Sequence, residues 1–177
     1  AEYQYISLRN QLNPHFLINS LNVLDGLIMT DRKEESDLYL HKLSDILQYR
    51  MMTEDTPLIT LEKEILNVTN YIDLLNIRFG SSLIVKTDIK KSDLQRLVVP
   101  CTIQLLVENA VKHNALMENR PLHIDIHSDT IDITVSNNLI PRFSKSKSTG
   151  LGLHYIKEQY KMHSDRDIQI LSTKESF

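Results

Sequence analysis

Val99-Pro100-Cys101-Thr102-Ile103-Gln104-Leu105-Leu106-Val107-Glu108-Asn109-Ala110-Val111-Lys112-His113-Asn114 is the stretch from which the rest of the chain can be organised. Proline disfavours helix in the residue before it and is preformed for a helix start, so the run predicts a helix over residues 102–117. Ile103, Leu106, Val107, Ala110 and Val111 recur at helical spacing and make one apolar face. Glu108 and Lys112 are four residues apart, as are Asn109 and His113, so the other face is expected to gather a carboxylate, an amide, an ammonium and an imidazole. That set suits a magnesium-phosphate ligand: a side-chain oxygen serves a hard cation that keeps most of its waters, and a cation serves phosphate oxygens. A solvated helix face with a Glu-Lys pair fits the same spacing, and periodicity does not separate the two readings.

Downstream of this helix, Leu122-Ile124-Ile126 and Ile131-Ile133-Val135 alternate with polar residues on either side of Ser128-Asp129, which predicts a β-hairpin. Residues 137–149 are polar and rich in Ser and Lys, a loop by composition; Gly150-Leu151-Gly152 then opens a last helix, with a strand expected at 168–170. Upstream lies a helix over 61–78, followed by Phe79-Gly80-Ser81-Ser82 and a short strand signal at Leu83-Ile84-Val85. Helices interleaved with strands imply an α/β two-layer sandwich for residues 57–177.

The first 56 residues have a different pattern. Over 5–30 the residues Leu17, Leu21, Leu24 and Ile28 form a helical stripe, flanked by Phe16 and Leu27; Asp31-Arg32-Lys33-Glu34 breaks it, and Leu40, Leu43, Ile46, Leu47 and Met51 resume the period. Two such helices form a hairpin with more apolar surface than one pair can cover, so a second copy completing a homodimeric four-helix bundle is expected. Residues 53–57 are polar and end in Pro57, which marks a domain boundary there. The predicted fold class is therefore α+β: a dimerising hairpin over 1–56 and a sandwich over 57–177.

Composition narrows the function classes. The 177 residues are 41% hydrophobic and 24% charged, near the averages for folded domains, which argues against disorder and collagen-like structure. A net charge of -3 offers no basic footprint for nucleic acid. Cys101, the single cysteine, permits no internal disulfide and fits a reducing compartment, with packing as its expected role. No apolar run reaches the roughly 20 residues that span a bilayer, so this stretch is expected to make no membrane contact. A start at Ala1 rather than Met reads as an excised fragment, with a membrane or sensor region expected before it. His41, His123, His127, His154 and His163 show no zinc-ligand spacing and read as surface or edge residues.

Glu108-Asn109-Ala110-Val111-Lys112-His113, after a Val-Pro and an apolar run, resembles the N box of GHKL-type ATPases and histidine kinases in the form found in LytS/YehU-type sensor kinases. The resemblance implies ATP and Mg²⁺ as cofactors, with Asn109 on the metal, Lys112 and His113 near the phosphates, and Glu108 orienting or deprotonating the reacting group. Gln11-Leu12-Asn13-Pro14-His15-Phe16-Leu17-Ile18-Asn19-Ser20-Leu21-Asn22 is similar to that family's phosphoacceptor motif, departing only at Ile18, where phenylalanine is usual. It implies that His15 accepts the phosphoryl group. Chemically this is sound, because a neutral imidazole keeps a nucleophilic lone pair near pH 7. Pro14 is expected to kink the helix there, and Asn19 lies one turn beyond His15 on the same face.

Gly150-Leu151-Gly152-Leu153 ahead of a helix resembles the family's glycine-rich box, where close backbone approach and helix-terminal N-H groups hold phosphates. Arg142, Lys145 and Lys147 can also screen phosphate charge, although a solvated basic loop has the same composition. Just upstream the family pattern Asp-x-Gly-x-Gly is replaced by Asn137-Asn138-Leu139-Ile140-Pro141. Asn137 stands where the adenine-recognising aspartate would be, and its carbonyl oxygen accepts a hydrogen bond without charge assistance. Residues 61–64 and 71–79 are similar to the helix that opens the family's ATP domain. The expected function is ATP-dependent autophosphorylation on His15 and transfer to a response regulator, of LytTR type by the resemblance, within the cytoplasmic part of a bacterial inner-membrane protein. A degenerate kinase fold that dimerises without binding ATP well, and a GHKL ATPase that leaves the His15 segment unexplained, are the alternatives.

Overall fold

Two antiparallel helices begin the fold, α1 (Pro14–Met29) and α2 (Lys33–Thr53). The computed structural model describes residues 14–142, 151–163, 168–173 and 176–177. The break between the two helices is made by Asp31, which takes a left-handed φ of 57° that short polar side chains tolerate. Its neighbour Arg32 then donates its N-H to Leu27 O at 3.0 Å, satisfying a carbonyl that the helix end would otherwise leave open. The expected kink at Pro14 falls at the edge of the described residues, where α1 starts.

Helix α2 buries Tyr39, Leu43 and Ile46, and packs more extensively along α3 (Leu61–Phe79) than along α1. On α3 the residues Leu61, Val68, Tyr71, Leu74 and Leu75 are buried, a stripe of helical period that meets α2 on one side and the sheet on the other. The contact is pinned by polar ends: Lys42 Nζ lies 2.8 Å from Asp73 Oδ2 and 2.9 Å from Asn70 Oδ1. The buried residues of α2, α3 and the strands form one continuous apolar core.

Strand β1 (Ile59–Thr60) pairs antiparallel with β3 (Leu97–Val98), closing the chain around the start of α3. The main sheet has the order β2-β4-β5, from β2 (Leu83–Asp88), β4 (Leu122–Ser128) and β5 (Ile133–Asn137). β2 and β4 run parallel, and α4 (Thr102–His113) lies in the long connection that parallel pairing requires. β4 and β5 form the antiparallel hairpin expected from their alternation. In β4 the residues Leu122, Ile124 and Ile126 are buried under the helices while His123, Asp125 and His127 face out, so the sheet has one covered face. The mixed helix-and-sheet class follows from this arrangement.

Two expectations about element boundaries are corrected. Helix α4 ends at His113 rather than near residue 117, because Asn114 is extended (φ -112°, ψ 152°) and its amide closes the helix. Asn114 Nδ2 donates to Ala110 O at 2.8 Å and Asn114 Oδ1 accepts from Ile140 N at 2.8 Å, so one buried side chain stops the helix and ties it to the end of the sheet. The strand expected at 168–170 does not form: residues 168–173 are irregular, and the free edge of Asn137 is bonded by Phe177 instead, at 2.8 and 2.9 Å. A single apolar-polar-apolar triplet carries too little periodic signal to define a strand.

Candidate active site

Helix α4 is held at its start from outside its own sequence. Cys101 precedes it with a left-handed φ of 63° and no side-chain cap, leaving the first N-H groups to find other acceptors. Glu64, fully buried in the first turns of α3, provides them: its carboxylate accepts from Cys101 N at 2.9 Å, Ile103 N at 2.9 Å and Gln104 N at 3.5 Å. A carboxylate at a helix N-terminus meets both the open donors and the positive end of the helix dipole. Burial pushes the Glu64 carboxyl up, and the hydrogen bonds it accepts from Tyr49 and the backbone pull it back. Tyr49 of α2 donates its hydroxyl to Glu64 Oε2 and, raised by burial and by the Glu64 charge, stays protonated. Burial also pushes the Cys101 thiol up to about 12, which makes it an unreactive packing residue.

The middle of α4 carries the second polar junction. Gln104 Nε2 donates to Glu108 Oε1 at 2.9 Å, Asn67 Nδ2 donates to Gln104 Oε1 at 2.8 Å, and Arg50 Nη2 of α2 lies 3.4 Å from Glu108 Oε1. Burial raises the Glu108 carboxyl, with Arg50 the largest opposing influence. The Arg50 guanidinium in turn covers the Phe16 ring at 5.4 Å, and Phe16 sits 6.0 Å from the Tyr71 ring.

The expectation that Glu108, Asn109, Lys112 and His113 share one open face is corrected by this geometry. Helical positions 108 and 109 are separated by about 100°, so the two i, i+4 pairs form two rows rather than one cluster. Glu108 is directed to α2, its side chain only 21% exposed. Lys112 and His113 are exposed at the helix end, where Arg142 Nη1 donates to Lys112 O at 2.5 Å. His113 is held below its ordinary range by partial burial first and then by Lys112 and Arg142.

Asn109 is the member of the set that faces the last helix, α5 (Leu151–His163). Its Nδ2 is buried and has no hydrogen-bond partner, and a Cβ built on Gly152 would stand 3.8 Å from it. Glycine at 152 therefore keeps the space beside Asn109 free of a side chain, and an orphaned buried amide is an energetic cost that a bound polar group removes. An amide offers an acceptor oxygen as well as a donor nitrogen, so the same side chain fits a hard cation or a phosphate oxygen. Asn137 ends β5, buried, with Nδ2 donating to Asn138 O at 2.7 Å.

His15 is the second residue of α1, but its side chain, like Gly150, Lys145 and Lys147, lies outside the described residues. Among the described residues no group of three or more His, Cys, Asp or Glu converges as a metal site, and no helix is long and apolar enough to cross a membrane. Tyr49, Arg50, Glu64, Asn67 and Gln104 were not foreseen. Only Gln104 had a local signal, standing four residues before Glu108 on the same helix face.

Residues 3–83 match the family model described as histidine kinase. A sensor protein LytS of Staphylococcus haemolyticus is 32% identical over 160 residues, covering 82% of this chain and 27% of that protein. One from Staphylococcus saprophyticus is 37% identical over 107 residues, 60% of this chain and 18% of its own length. A sensor histidine kinase/phosphatase LytS of Staphylococcus aureus is 31% identical over 131 residues, 74% of this chain and 22% of its own length. The chain thus spans about a fifth to a quarter of the relatives it matches. With the histidine-bearing segment inside the family match and a relative 32% identical over 82% of the chain, the chain belongs to the LytS-type sensor histidine kinase family.

Proposed function

We propose that the chain binds Mg²⁺-ATP between α4 and α5 and transfers the γ-phosphoryl group to His15, from which a response regulator receives it. The observation that carries this reading is the unpartnered, buried Asn109 amide beside Gly152 at the start of α5. Asn109 is the residue suited to the metal; Lys112, exposed at the C-terminal end of α4, and His113 serve the phosphates, as do Gly150 and Gly152, and Asn137 accepts from the adenine amino group. When bound, Mg²⁺-ATP supplies the phosphoryl group and the counter-charge for its transfer. His15 forms the new N-P bond with its lone pair as the bond from Pγ to the ADP oxygen breaks, and the other ring nitrogen gives up its proton later. Catalysis of this kind rests on positioning and charge neutralisation. Glu108 is bonded to Arg50 and Gln104, which favours the orienting role over that of a base.

The exposed apolar residues Ile18, Leu21, Ile28 and Met29 of α1 support pairing of two copies through the hairpin, the hairpin over 1–56 being the dimerising and phosphoaccepting domain and 57–177 the ATP-binding GHKL domain. By the family resemblance the regulator is of LytTR type and the intact protein is anchored in a bacterial inner membrane. Incubation with ATP labelled at the γ-position should yield an acid-labile phosphoprotein in the unaltered chain and none in His15→Ala or Asn109→Ala. Label persisting in His15→Ala would remove that residue from the reaction. The second reading, a kinase fold that no longer binds nucleotide, draws on the uncharged Asn137 and its bond to Asn138 O; calorimetry that finds no heat at millimolar Mg²⁺-ATP would favour it.

A further inference from the structure

Two consecutive residues of α2 reach two carboxylates that govern one helix. Tyr49 bonds to Glu64, the acid that caps the first N-H groups of α4, and Arg50 pairs with Glu108, one residue before Asn109. Arg50 also lies over Phe16, the residue that follows His15 in α1. Its guanidinium is therefore set between the helix that bears the acceptor histidine and the helix that bears the unpartnered amide. The side chain is 15% exposed, and its buried Nε has no hydrogen-bond partner. A desolvated ion pair with an open donor adds little net stability compared with an apolar contact of the same volume. What a planar guanidinium adds is direction, since it fixes an aromatic face on one side and a carboxylate at its edge.

We propose that Tyr49 and Arg50 are positioning residues for phosphoryl transfer: through Glu64 and Glu108 they fix the Asn109 helix relative to the His15 helix. The proposal rests on the kinase reading above. Glu64 sets where α4 begins, Glu108 sets its rotation about its own axis, and both are addressed from a single turn of α2. A shift of the hairpin therefore reaches the start and the middle of the site helix together.

The test uses the full chain and three variants, Arg50→Met, Arg50→Lys and Tyr49→Phe. Arg50→Met keeps a long apolar side chain against Phe16 and removes the ion pair. It should lower kcat for His15 labelling on the order of tenfold while the KM for ATP stays within about twofold, because misplacement of the reacting groups slows the step and leaves nucleotide binding intact. Arg50→Lys should recover part of the rate, and Tyr49→Phe should show the same kcat-only pattern at smaller size. An unchanged kcat in Arg50→Met, a matching rise in KM, or no recovery with lysine would overturn the proposal. If the unaltered chain takes no label, the kinase reading fails on its own; hydrogen exchange then decides the positioning role. Without nucleotide, α1 and α4 amides should exchange faster in Arg50→Met than in the unaltered chain, and the absence of that difference would overturn it as well.

Discussion

Helices α1 and α3 have comparable lengths and opposite fates. On α3 the apolar stripe is used up within the chain, Val68 and Leu74 being 1% and 3% exposed, and two polar residues, Glu64 and Asn67, are buried beside it with partners on α2 and α4. On α1 the stripe expected from the sequence is left largely open: Leu21 and Ile28 remain 50% and 62% exposed, and the buried residue is their flank Leu27, at 4%. One helix has its neighbours on both sides and the other has them on one. The difference shows that amphipathic periodicity says a face will be covered without saying by what. For α3 the cover is α2 and the sheet, and for α1 part of it is not supplied by the described residues.

The comparison can be broken most forcefully at its buried side. Ile46, fully buried where α2 meets α3, should cost about 2–5 kcal/mol when changed to Ala, read as a lower urea midpoint with unchanged slope. A loss below about 1 kcal/mol would mean that α2 does not share the core of α3. On the exposed side, Leu21→Glu should leave the unfolding midpoint of the monomer nearly unchanged and shift sedimentation toward single chains; a dimer that survives this change would place the contact elsewhere.

A smaller effect sharpens the contrast between the enclosed and open ends of α4. The folded-state pKa of His113 lies below the ordinary 6.5, so its neutral form is the one that suits the fold. The associated stability is complete above about pH 6.5 and is lost as the pH falls toward and through the depressed folded value. Imidazole NMR should show titration below the ordinary value, with Lys112→Met restoring only part of the difference because burial is the larger cause. An unshifted titration would mean that the end of α4 is more open than the helix geometry indicates.

Much of the fold was legible in local pattern. The helical period of α1 and α2 and the alternation in β4 and β5 named the elements, but only in β4 did the alternation also name the inner face; on α1 and α2 the expected stripe residues Leu21, Ile28, Leu40 and Met51 are exposed, while Leu27 and Tyr39 are buried. Boundaries set by a side chain meeting a distant backbone group were not legible: Asn114 stops α4 because Ile140 is there to bond it. The short pairing of β1 with β3 was missed for the same reason, two residues carrying no period of their own. Within the site, Asn109 and Gly152 were found as motifs, and their closeness was not implied by either.

The sequence by itself determined most element types, the His15 and Glu108-to-His113 motifs and hence the family, because these depend on residues a few positions apart. Only the tertiary structure decided which polar side chains meet. Glu64 and the α4 backbone, Arg50 and Glu108, and Asn109 and Gly152 are separated by tens of residues, and their contacts arise when packed helices bring their faces together. Helical spacing placed Glu108 and Asn109 in one group, whereas the packed chain directs one to α2 and the other to α5, since neighbouring positions on a helix point about 100° apart and each finds a different partner.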